Sequence, residues 1–307
     1  MQKIKIVCTS SGGMDPTVAN KLGIDIIPIL IEHNGEQYRE GLDIDADAFF
    51  QQLEVTAVNK HNLPKTVIPT ATSTIDVVIK AITEGYTDII FVCMSTALGS
   101  AFNKIRVDSL AFKDQINLHM FDTKAIGYVE AYLAIYAQEL AQSGADVNTI
   151  LEKMAKLRKN AFTIGATTNL DYPVYNGRLK GALAFWGKTL NIKPSLEITS
   201  NGELVNFAKS LHSSRAFFIA AEKIKKSMGD SQNYLLWRFR TGKANEKYLT
   251  RAEEKIGIEP NAPDFIMPLS TGVHTGPTLA GWGLIKFENC EKMMYNICTS
   301  NEKGVLL

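Results

Sequence analysis

A continuous run of apolar residues, Ile89-Ile90-Phe91-Val92-Cys93, constrains the fold of this chain more than any other segment. Successive side chains of a strand point to opposite faces, so a strand of this composition must be covered on both sides. Such strands are typical of parallel sheets that carry helices on both faces. Strand-like and helix-like segments alternate throughout the first half of the chain. The sequence therefore predicts a doubly wound, mostly parallel sheet in an α/β domain.

Other segments of the first half agree with this prediction. Lys3 to Cys8 and Leu118 to Asp122 are apolar and predict further buried strands, and a long helix is predicted over about 127–142. Asp15 followed by Pro16 is typical of a helix start, because aspartate caps free amides and proline suits the first helical position. Asn34-Gly35 predicts a tight hairpin.

The character of the chain changes near residue 160. Asn201-Gly202 lies between two short strand-like segments and predicts a second hairpin, and Phe265 to Leu269 predicts a buried strand. We therefore expect an N-terminal α/β domain over residues 1–160 and a C-terminal α+β domain over residues 161–307.

Composition excludes several functions. The chain has 307 residues, of which 45% are hydrophobic and 21% are charged, which is ample material for a core. The net charge is +1 and the charges are spread along the sequence, so nucleic acid is not an expected partner. No apolar stretch reaches the roughly 18 residues needed to span a bilayer, and the N-terminus does not resemble a signal peptide. We therefore predict a cytoplasmic protein.

Motifs for cofactors are also missing from the sequence. The four cysteines form no CxxC pair, which argues against zinc and dithiol chemistry. The sequence contains no GxGxxG fingerprint, P-loop, HExxH motif or GxSxG elbow. We therefore expect no metal, no cofactor and no nucleotide site in this chain.

Three polar turns follow predicted parallel strands: Thr9-Ser10-Ser11-Gly12, the turn from Ser95 to Ser100, and Asp122-Thr123. The carboxyl ends of parallel strands meet at one edge of the sheet, where ligands bind in open α/β folds. Hydroxyls and free amides at that edge favour an anion, either a carboxylate or a phosphate. The alternative for each turn is ordinary capping of the next helix.

Two further residues are candidates for chemistry. His274 lies between the apolar segment 265–269 and the Gly276-Pro277 turn, which predicts a rigid histidine at a cleft. Its alternative role is a hydrogen bond to a backbone carbonyl in a loop. Arg178 follows a glycine in a turn and can bind a carboxylate or phosphate with both prongs of its guanidinium, although exposed arginines are common.

The order of these motifs resembles the DegV family, which includes the fatty-acid-binding subunits of bacterial fatty acid kinase. The matching segments are the turn at Ser10-Ser11, Thr66-Val67-Ile68-Pro69-Thr70, the turn from Ser95 to Ser100, Asp122-Thr123, Gly177-Arg178-Leu179, Asn191-Ile192-Lys193-Pro194 and His274-Thr275-Gly276-Pro277. The resemblance covers about Lys3 to Phe287. It implies two domains with a fatty acid buried between them, the carboxylate held by hydroxyls and the chain in an apolar tunnel.

The resemblance also implies roles for individual residues. Thr66 matches a carboxylate contact, while Ser95, Thr96 and Ser100 stay open as alternatives, because Gly99-Ser100 exchanges the last two residues of the family's turn. Arg178 and His274 match the arginine and histidine at the pocket mouth, which are implicated in acyl transfer with the partner kinase. The predicted ligand-binding residues are Ser10, Ser11, Thr66, Ser95, Thr96, Ser100, Arg178, His274 and Thr275.

The chain departs from the family pattern at three further places. The first turn begins with Thr9 where the family has aspartate, and Val67-Ile68 stand where the family often has Ser-Gln. A C-terminal extension over residues 288–307 passes the usual end. These departures indicate a divergent member whose ligand differs in chain length or is not a plain fatty acid.

An acyl chain needs an apolar tunnel, since burial gains roughly 0.8 kcal/mol per methylene, and its carboxylate needs hydrogen-bond donors. The candidate tunnel residues are Phe185, Trp186, Phe217, Phe218 and Ile219, with ordinary core packing as the alternative for each.

The sequence therefore predicts a lipid-binding protein that holds a long-chain fatty acid and presents its carboxylate to a separate ATP-dependent fatty acid kinase subunit. On this hypothesis the chain is not an enzyme by itself, and it contacts membranes only transiently for lipid exchange. One alternative is a lipid-ester hydrolase that uses Ser10 or Ser95 with His274 and Asp122. The other is a protein that binds a sugar or a phosphate on the same fold.

Overall fold

A computed structural model describes residues 2–56, 62–176 and 191–287. The helices are α1 (Pro16–Leu22), α2 (Ala46–Val55), α3 (Ala71–Thr83), α4 (Ala101–Ser109), α5 (Tyr128–Gln142), α6 (Val147–Arg158), α7 (Asp171–Tyr175), α8 (Ser213–Met228), α9 (Glu246–Ile256) and α10 (Leu269–Thr275). The strands are β1 (Ile4–Thr9), β2 (Asp25–Ile27), β3 (Leu30–His33), β4 (Glu36–Arg39), β5 (Lys65–Val67), β6 (Asp88–Cys93), β7 (Asn117–Asp122), β8 (Ala161–Thr167), β9 (Lys193–Ile198), β10 (Leu204–Ser210), β11 (Tyr234–Arg240), β12 (Phe265–Ile266) and β13 (Leu279–Lys286).

The first sheet has the strand order β2-β1-β6-β7, and all of its pairings are parallel. Strand β6 is buried along its whole length, as its apolar run predicts. On one face Ile90 packs with Tyr132 of α5, and on the other Phe91 packs with Val78 of α3 and Ile105 of α4. Helices on both faces confirm the predicted doubly wound α/β arrangement.

A small antiparallel sheet, ordered β4-β3-β5, lies beside the first sheet. The predicted hairpin at Asn34-Gly35 joins β3 to β4, and both residues have positive φ angles, 54° and 83°. Strand β5 was not predicted, because the segment around Thr66 reads as a connection between helices. Its pairing with β3 is a contact between distant parts of the chain, which local sequence signals do not reveal.

The second sheet has the order β10-β9-β8-β13-β11-β12 and is antiparallel except for the pair β11 and β12. Helix α8 covers one face, where Phe217 packs with Ile164 and Trp282. The other face packs on the first half of the chain, and the rings of Trp237 and Tyr128 meet edge to face 4.8 Å apart. The second half is therefore a separate, mostly antiparallel α+β unit, which confirms the predicted fold class.

Helix α10 corrects one prediction from the sequence. The segment from Phe265 to Leu269 was expected to form one strand, but strand β12 contains only Phe265 and Ile266. Pro268 precedes α10, and a proline cannot donate to a sheet ladder but is well placed at a helix start. His274 therefore lies in the last turn of a short helix and not at the end of a strand.

Helix α10 also crosses between the two halves of the chain. Its Leu269 and Val273 pack with Ile31 of β3 and Phe50 of α2, which belong to the first half. The second sheet begins with β8 at Ala161, and the domain limits at residue 160 stay a prediction. Within the part of the chain that the structure describes, no helix combines the length and apolar character that a bilayer span requires.

Candidate functional site

A cavity of about 400 Å³ lies where the first sheet, the small sheet and the second sheet meet. The second sheet forms one wall of the cavity. Successive residues of a strand face opposite sides, so Thr163 and Gly165 of β8 face the cavity while Ile164 faces α8. The apolar part of the lining is provided by Ile29, Met94, Leu98, Ile126, Leu196, Ile198, Leu204, Phe239, Met267 and Leu279. The space is thus mainly apolar and is enclosed by both halves of the chain.

Hydroxyl groups and one imidazole form a polar wall of this cavity. Thr66 Oγ1 and His274 Nε2 share a hydrogen bond of 3.0 Å that joins β5 to α10. Ser100 and Thr275 also line the cavity. The structure therefore brings together four of the predicted ligand-binding residues, from three separate parts of the chain.

Two further polar residues of this wall, Ser270 and Thr271, were missed by the sequence analysis. They are 3% and 6% exposed and lie on α10 one turn before His274. The hydroxyl oxygen of Thr271 is buried and makes no hydrogen bond to any described residue, whereas the hydroxyl of Ser270 lies beside the Glu40 carboxyl. A helical assignment of this segment would have revealed them, since residues four positions apart share one face of a helix.

The predicted residues Ser95 and Thr96 lie beside the cavity but do not line it. Ser95 Oγ donates a 2.8 Å hydrogen bond to the carbonyl of Gly202, at the tip of the β9–β10 hairpin. Thr96 Oγ1 donates to Asp122 at 2.7 Å. Of the alternatives in this turn, the structure places only Ser100 in the lining.

Gly202 allows this contact because it has no side chain. Its φ angle is 83°, and a Cβ there would lie 2.1 Å from Ser95 Oγ and 2.9 Å from Lys124 Cα. We expect Gly202→Ala to lower the free energy of unfolding by about 1–3 kcal/mol more than Gly35→Ala does. Gly35 has the same φ angle but no neighbour within 4 Å, so Gly35→Ala measures the cost of the backbone conformation without a steric clash. Urea unfolding of both variants measures the difference, and equal losses would contradict it.

The hydroxyls of the first turn are bonded to carboxyl groups. Ser10 Oγ donates to Glu40 at 2.6 Å, and Ser11 Oγ donates to Glu130 at 2.7 Å. Thr9 Oγ1 also donates to Glu130. Ser10 and Ser11 do not line the 400 Å³ cavity, and their hydroxyls are already bonded to these carboxyls.

Both carboxyl groups are buried. Burial is the largest cause that raises the pKa of Glu130, to about 8, against the opposing effect of the Thr9 and Ser11 hydrogen bonds. Burial also raises the pKa of Glu40. Glu40 accepts a hydrogen bond of 2.6 Å from the Ser270 amide, so it fixes the start of α10 against the first turn. It thereby positions the helix that carries His274.

Carboxylates also lie along another part of the cavity wall. Glu197 and Glu203 of the β9–β10 hairpin line it, and Glu197 pairs with Lys223 at 2.6 Å. A bound carboxylate would be repelled by these side chains. The polar wall at Thr66 and His274 is therefore the more favourable place for an anionic group.

The predicted tunnel residues have other positions. Phe217, Phe218 and Ile219 lie on α8, which covers the face of the second sheet opposite the cavity, and none of them lines it. Core packing was the alternative for them, and Phe217 is fully buried against Tyr248. Phe185 and Trp186 lie outside the described residues, as do Arg178 and the extension 288–307.

Among the described residues, no hydrogen bond joins the serines, the histidine and the aspartate of the hydrolase hypothesis. Ser10 and Ser95 donate to Glu40 and Gly202, and the imidazole of His274 is bonded to Thr66. Asp122 accepts hydrogen bonds from Thr96 and from the amide of Lys124. These bonds do not assemble a nucleophile, a base and an orienting acid. Among the described residues, no three His, Cys, Asp or Glu side chains are grouped to hold a metal ion.

Comparison with known proteins identifies relatives along almost the whole chain. A family model described as uncharacterised proteins of the DegV family matches residues 3–286. A DegV domain-containing protein of Clostridium acetobutylicum is 25% identical over 290 residues, which cover 93% of this chain and 100% of the relative. A DegV domain-containing protein of Clostridium perfringens is also 25% identical, over 298 residues, with 93% and 99% coverage.

Solved structures share the fold. A DegV family protein of Thermus thermophilus, described by its fatty acid binding, superposes with a TM-score of 0.79 at 19% identity, covering 93% of this chain and 100% of that one. DegV of Bacillus subtilis, described as a fatty acid binding protein, gives 0.79 at 20% identity, with 94% and 100% coverage. A stearic acid-binding protein of Eubacterium ventriosum gives 0.79 at 20% identity, with 93% and 98% coverage.

Proposed function

We propose that this chain, which belongs to the DegV family, binds a long-chain fatty acid in the cavity between its two sheets. The observation that carries the proposal is the mainly apolar space of about 400 Å³ with one hydroxyl and imidazole wall. An acyl chain gains roughly 0.8 kcal/mol per buried methylene, and a carboxylate is stable there only where donors meet it. Solved relatives described as fatty acid binding proteins support the same ligand class.

The carboxylate belongs at the polar wall. Thr66 and Ser100 provide hydroxyl donors, and His274 provides an imidazole at the end of α10. His274 is half-buried and Ser100 is exposed, so this end of the cavity is open to a partner. Glu197 and Glu203 disfavour the opposite orientation of the ligand.

We also propose that the loaded protein presents the carboxylate to a separate ATP-dependent kinase. In this reaction a carboxylate oxygen forms a bond to the γ-phosphorus of ATP, and ADP leaves with the electrons of the broken P–O bond. The accessible mouth beside Ser100 and Ile68, which is 46% exposed, supports this direction of presentation. Arg178 stays a candidate for contact with the partner.

Mass spectrometry of the small molecules released by organic solvent tests the ligand class. We expect one fatty acid per chain, either carried through purification or taken up from an equimolar mixture of C14 to C20 acids. No acid after such loading would overturn the proposal. The sugar or phosphate hypothesis would then be tested by isothermal titration with inorganic phosphate and hexose phosphates.

Adding ATP and the kinase subunit of a bacterial fatty acid kinase to the loaded protein tests the second step. We expect acyl phosphate, trapped as a hydroxamate, only when all three components are present. Trapped product without the kinase subunit would show that this chain is a complete enzyme. As a control, the same kinase subunit must form product with its own binding protein. If it does so but forms no product with this chain, the proposed pairing is wrong.

Two variants separate binding from presentation. We expect Thr66→Ala to weaken fatty acid binding roughly tenfold, since it removes a hydrogen bond to a charged group. We expect His274→Ala to lower the rate of acyl-phosphate formation by a larger factor than it lowers affinity. Fluorescence titration and the hydroxamate assay measure the two effects. If His274→Ala empties the cavity, the histidine is a ligand anchor and its proposed role is wrong.

A further inference from the structure

We propose that the side chain of Met267 is the end wall of the acyl-chain site and sets the longest fatty acid that this protein binds. This inference rests on the proposed fatty acid binding and names the residue that determines chain length. It begins from a second cavity of about 550 Å³, which has Tyr128, Trp237 and Phe265 in its wall. Of the described residues, only Phe239 and Met267 line both cavities. These two side chains therefore separate the cavities.

The two parts of this partition differ in their freedom to move. The ring of Phe239 lies over Gly165 and Gly281, which are paired between β8 and β13, and a Cβ at these glycines would lie 3.1 Å and 2.9 Å from the ring. The ring is therefore held against the backbone of the second sheet. The amide of Met267 donates a 2.8 Å hydrogen bond to the carbonyl of Arg240, which fixes its backbone. Its side chain is unbranched and can adopt several rotamers, so it is the adjustable part of the partition.

Met267 lies at the opposite end of α10 from the polar wall. Five helical steps and two extended steps separate it from His274, a distance of at most about 14 Å at 1.5 Å and 3.3 Å per step. A bilayer core of about 30 Å contains two acyl chains end to end, so one long chain is about 15 Å. Both ends of this stretch line the first cavity. An acid with its carboxylate at Thr66 and His274 therefore has its methyl end close to Met267.

The second cavity has room for further methylenes directly behind this wall. Trp237 and Phe239 are two positions apart on β11, so they face the same side of the sheet. The ring of Tyr128 lies 4.8 Å from the rings of Trp237 and Phe265. Aromatic surface therefore follows the partition, whereas carboxyl groups such as that of Glu40 line other parts of the cavity and limit how far an apolar chain extends. The methionine, and not a lack of space behind it, excludes a longer acid.

Loading from lipid vesicles tests this inference. Phosphatidylcholine vesicles that contain an equimolar mixture of saturated C14 to C24 acids are incubated with each variant, and mass spectrometry measures the bound acids. Every variant meets the same vesicles, so the partition of each acid into lipid cancels between variants. We expect Met267→Ala to raise the ratio of bound C22 to bound C18 acid roughly tenfold or more. The shortened side chain leaves room for about three methylenes, each of which contributes about fourfold in affinity.

Two other methionines provide matched controls. Met94 is buried, packs against Gly99 and lines only the first cavity, and Met14 is buried and lines only the second. Replacing either by alanine removes the same volume without opening the partition. Met94→Ala and Met14→Ala should therefore each change the ratio by less than about fourfold, the effect of one methylene. Met267→Val keeps a shorter wall and should raise the ratio by a smaller factor than Met267→Ala, and it provides the test if the alanine variant does not fold.

An unchanged ratio in the folded Met267 variants would overturn the inference, because the methyl end would then not reach this wall. An equal rise in Met94→Ala would also overturn it, because the total volume of the first cavity would then set the limit. Unmodified protein that carries as much C22 as C18 acid would show that no wall limits the chain. Failure of the unmodified protein to bind any of the acids would instead remove the proposed function itself.

Discussion

Replacing Leu204 with tryptophan should lower the affinity for a long-chain fatty acid about a hundredfold. Leu204 is the first residue of β10, is half-buried and lines the cavity of about 400 Å³. The indole ring would occupy space that three or four methylenes need. At roughly 0.8 kcal/mol per methylene, the loss is about 3 kcal/mol, which corresponds to two orders of magnitude in Kd. Fluorescence titration with a labelled fatty acid measures it.

The adjacent residue provides the control. Val205 is also half-buried, but it points away from the cavity because neighbouring residues of a strand face opposite sides of the sheet. Val205→Trp should therefore change the Kd by less than about threefold. Similar losses in the two variants would show that the hairpin, and not the occupied space, controls binding, and would move the ligand out of this cavity.

Glu130→Gln should remove a large part of the loss of stability that we expect between pH 5 and pH 8.5. The folded-state pKa of Glu130 is raised to about 8 by burial, from an ordinary value of 4.5. A raised pKa means that the folded protein binds the proton more tightly than the unfolded chain does. The associated stability is therefore full below pH 4.5 and is lost as the pH rises towards 8. The loss is roughly 4 kcal/mol over the measured range.

Urea unfolding at pH 5 and at pH 8.5 measures this effect. The expected result is a large fall in the free energy of unfolding for the unmodified protein and a much smaller fall for Glu130→Gln. Asp146→Asn is a useful comparison, because the pKa of this exposed helix cap is lowered by its hydrogen bonds to Thr149, so it should not share the effect. Equal pH slopes in the unmodified protein and Glu130→Gln would show that Glu130 is not the responsible group.

Local signals predicted those parts of the fold whose partners are close in sequence. The apolar run of β6 requires cover on both faces wherever it lies, and Asp15 and Asp45 cap their helices through amides three residues away or less. The Asn34-Gly35 turn is likewise local, because its positive φ angles depend on the two residues themselves. The alternation of strand-like and helix-like segments likewise predicted the parallel sheet.

Distant contacts explain what the sequence did not reveal. Helix α6 is an exception, because its signal is local: a cap at Asp146 and apolar residues at Ile150, Met154 and Leu157. The hydroxyls of Ser10 and Ser11 were expected to meet a ligand, yet buried carboxyls accept their hydrogen bonds. No spacing rule identifies such a partner, since Glu130 is more than a hundred residues away in the chain.

The position of α10 has a consequence for synthesis. Ile31 and Phe50 belong to the early part of the chain, whereas Leu269 and Val273, which cover them, leave the ribosome more than two hundred residues later. During that interval Ile31 and Phe50 lack the part of their cover that α10 provides. This part of the core is therefore completed only after α10 has been synthesised.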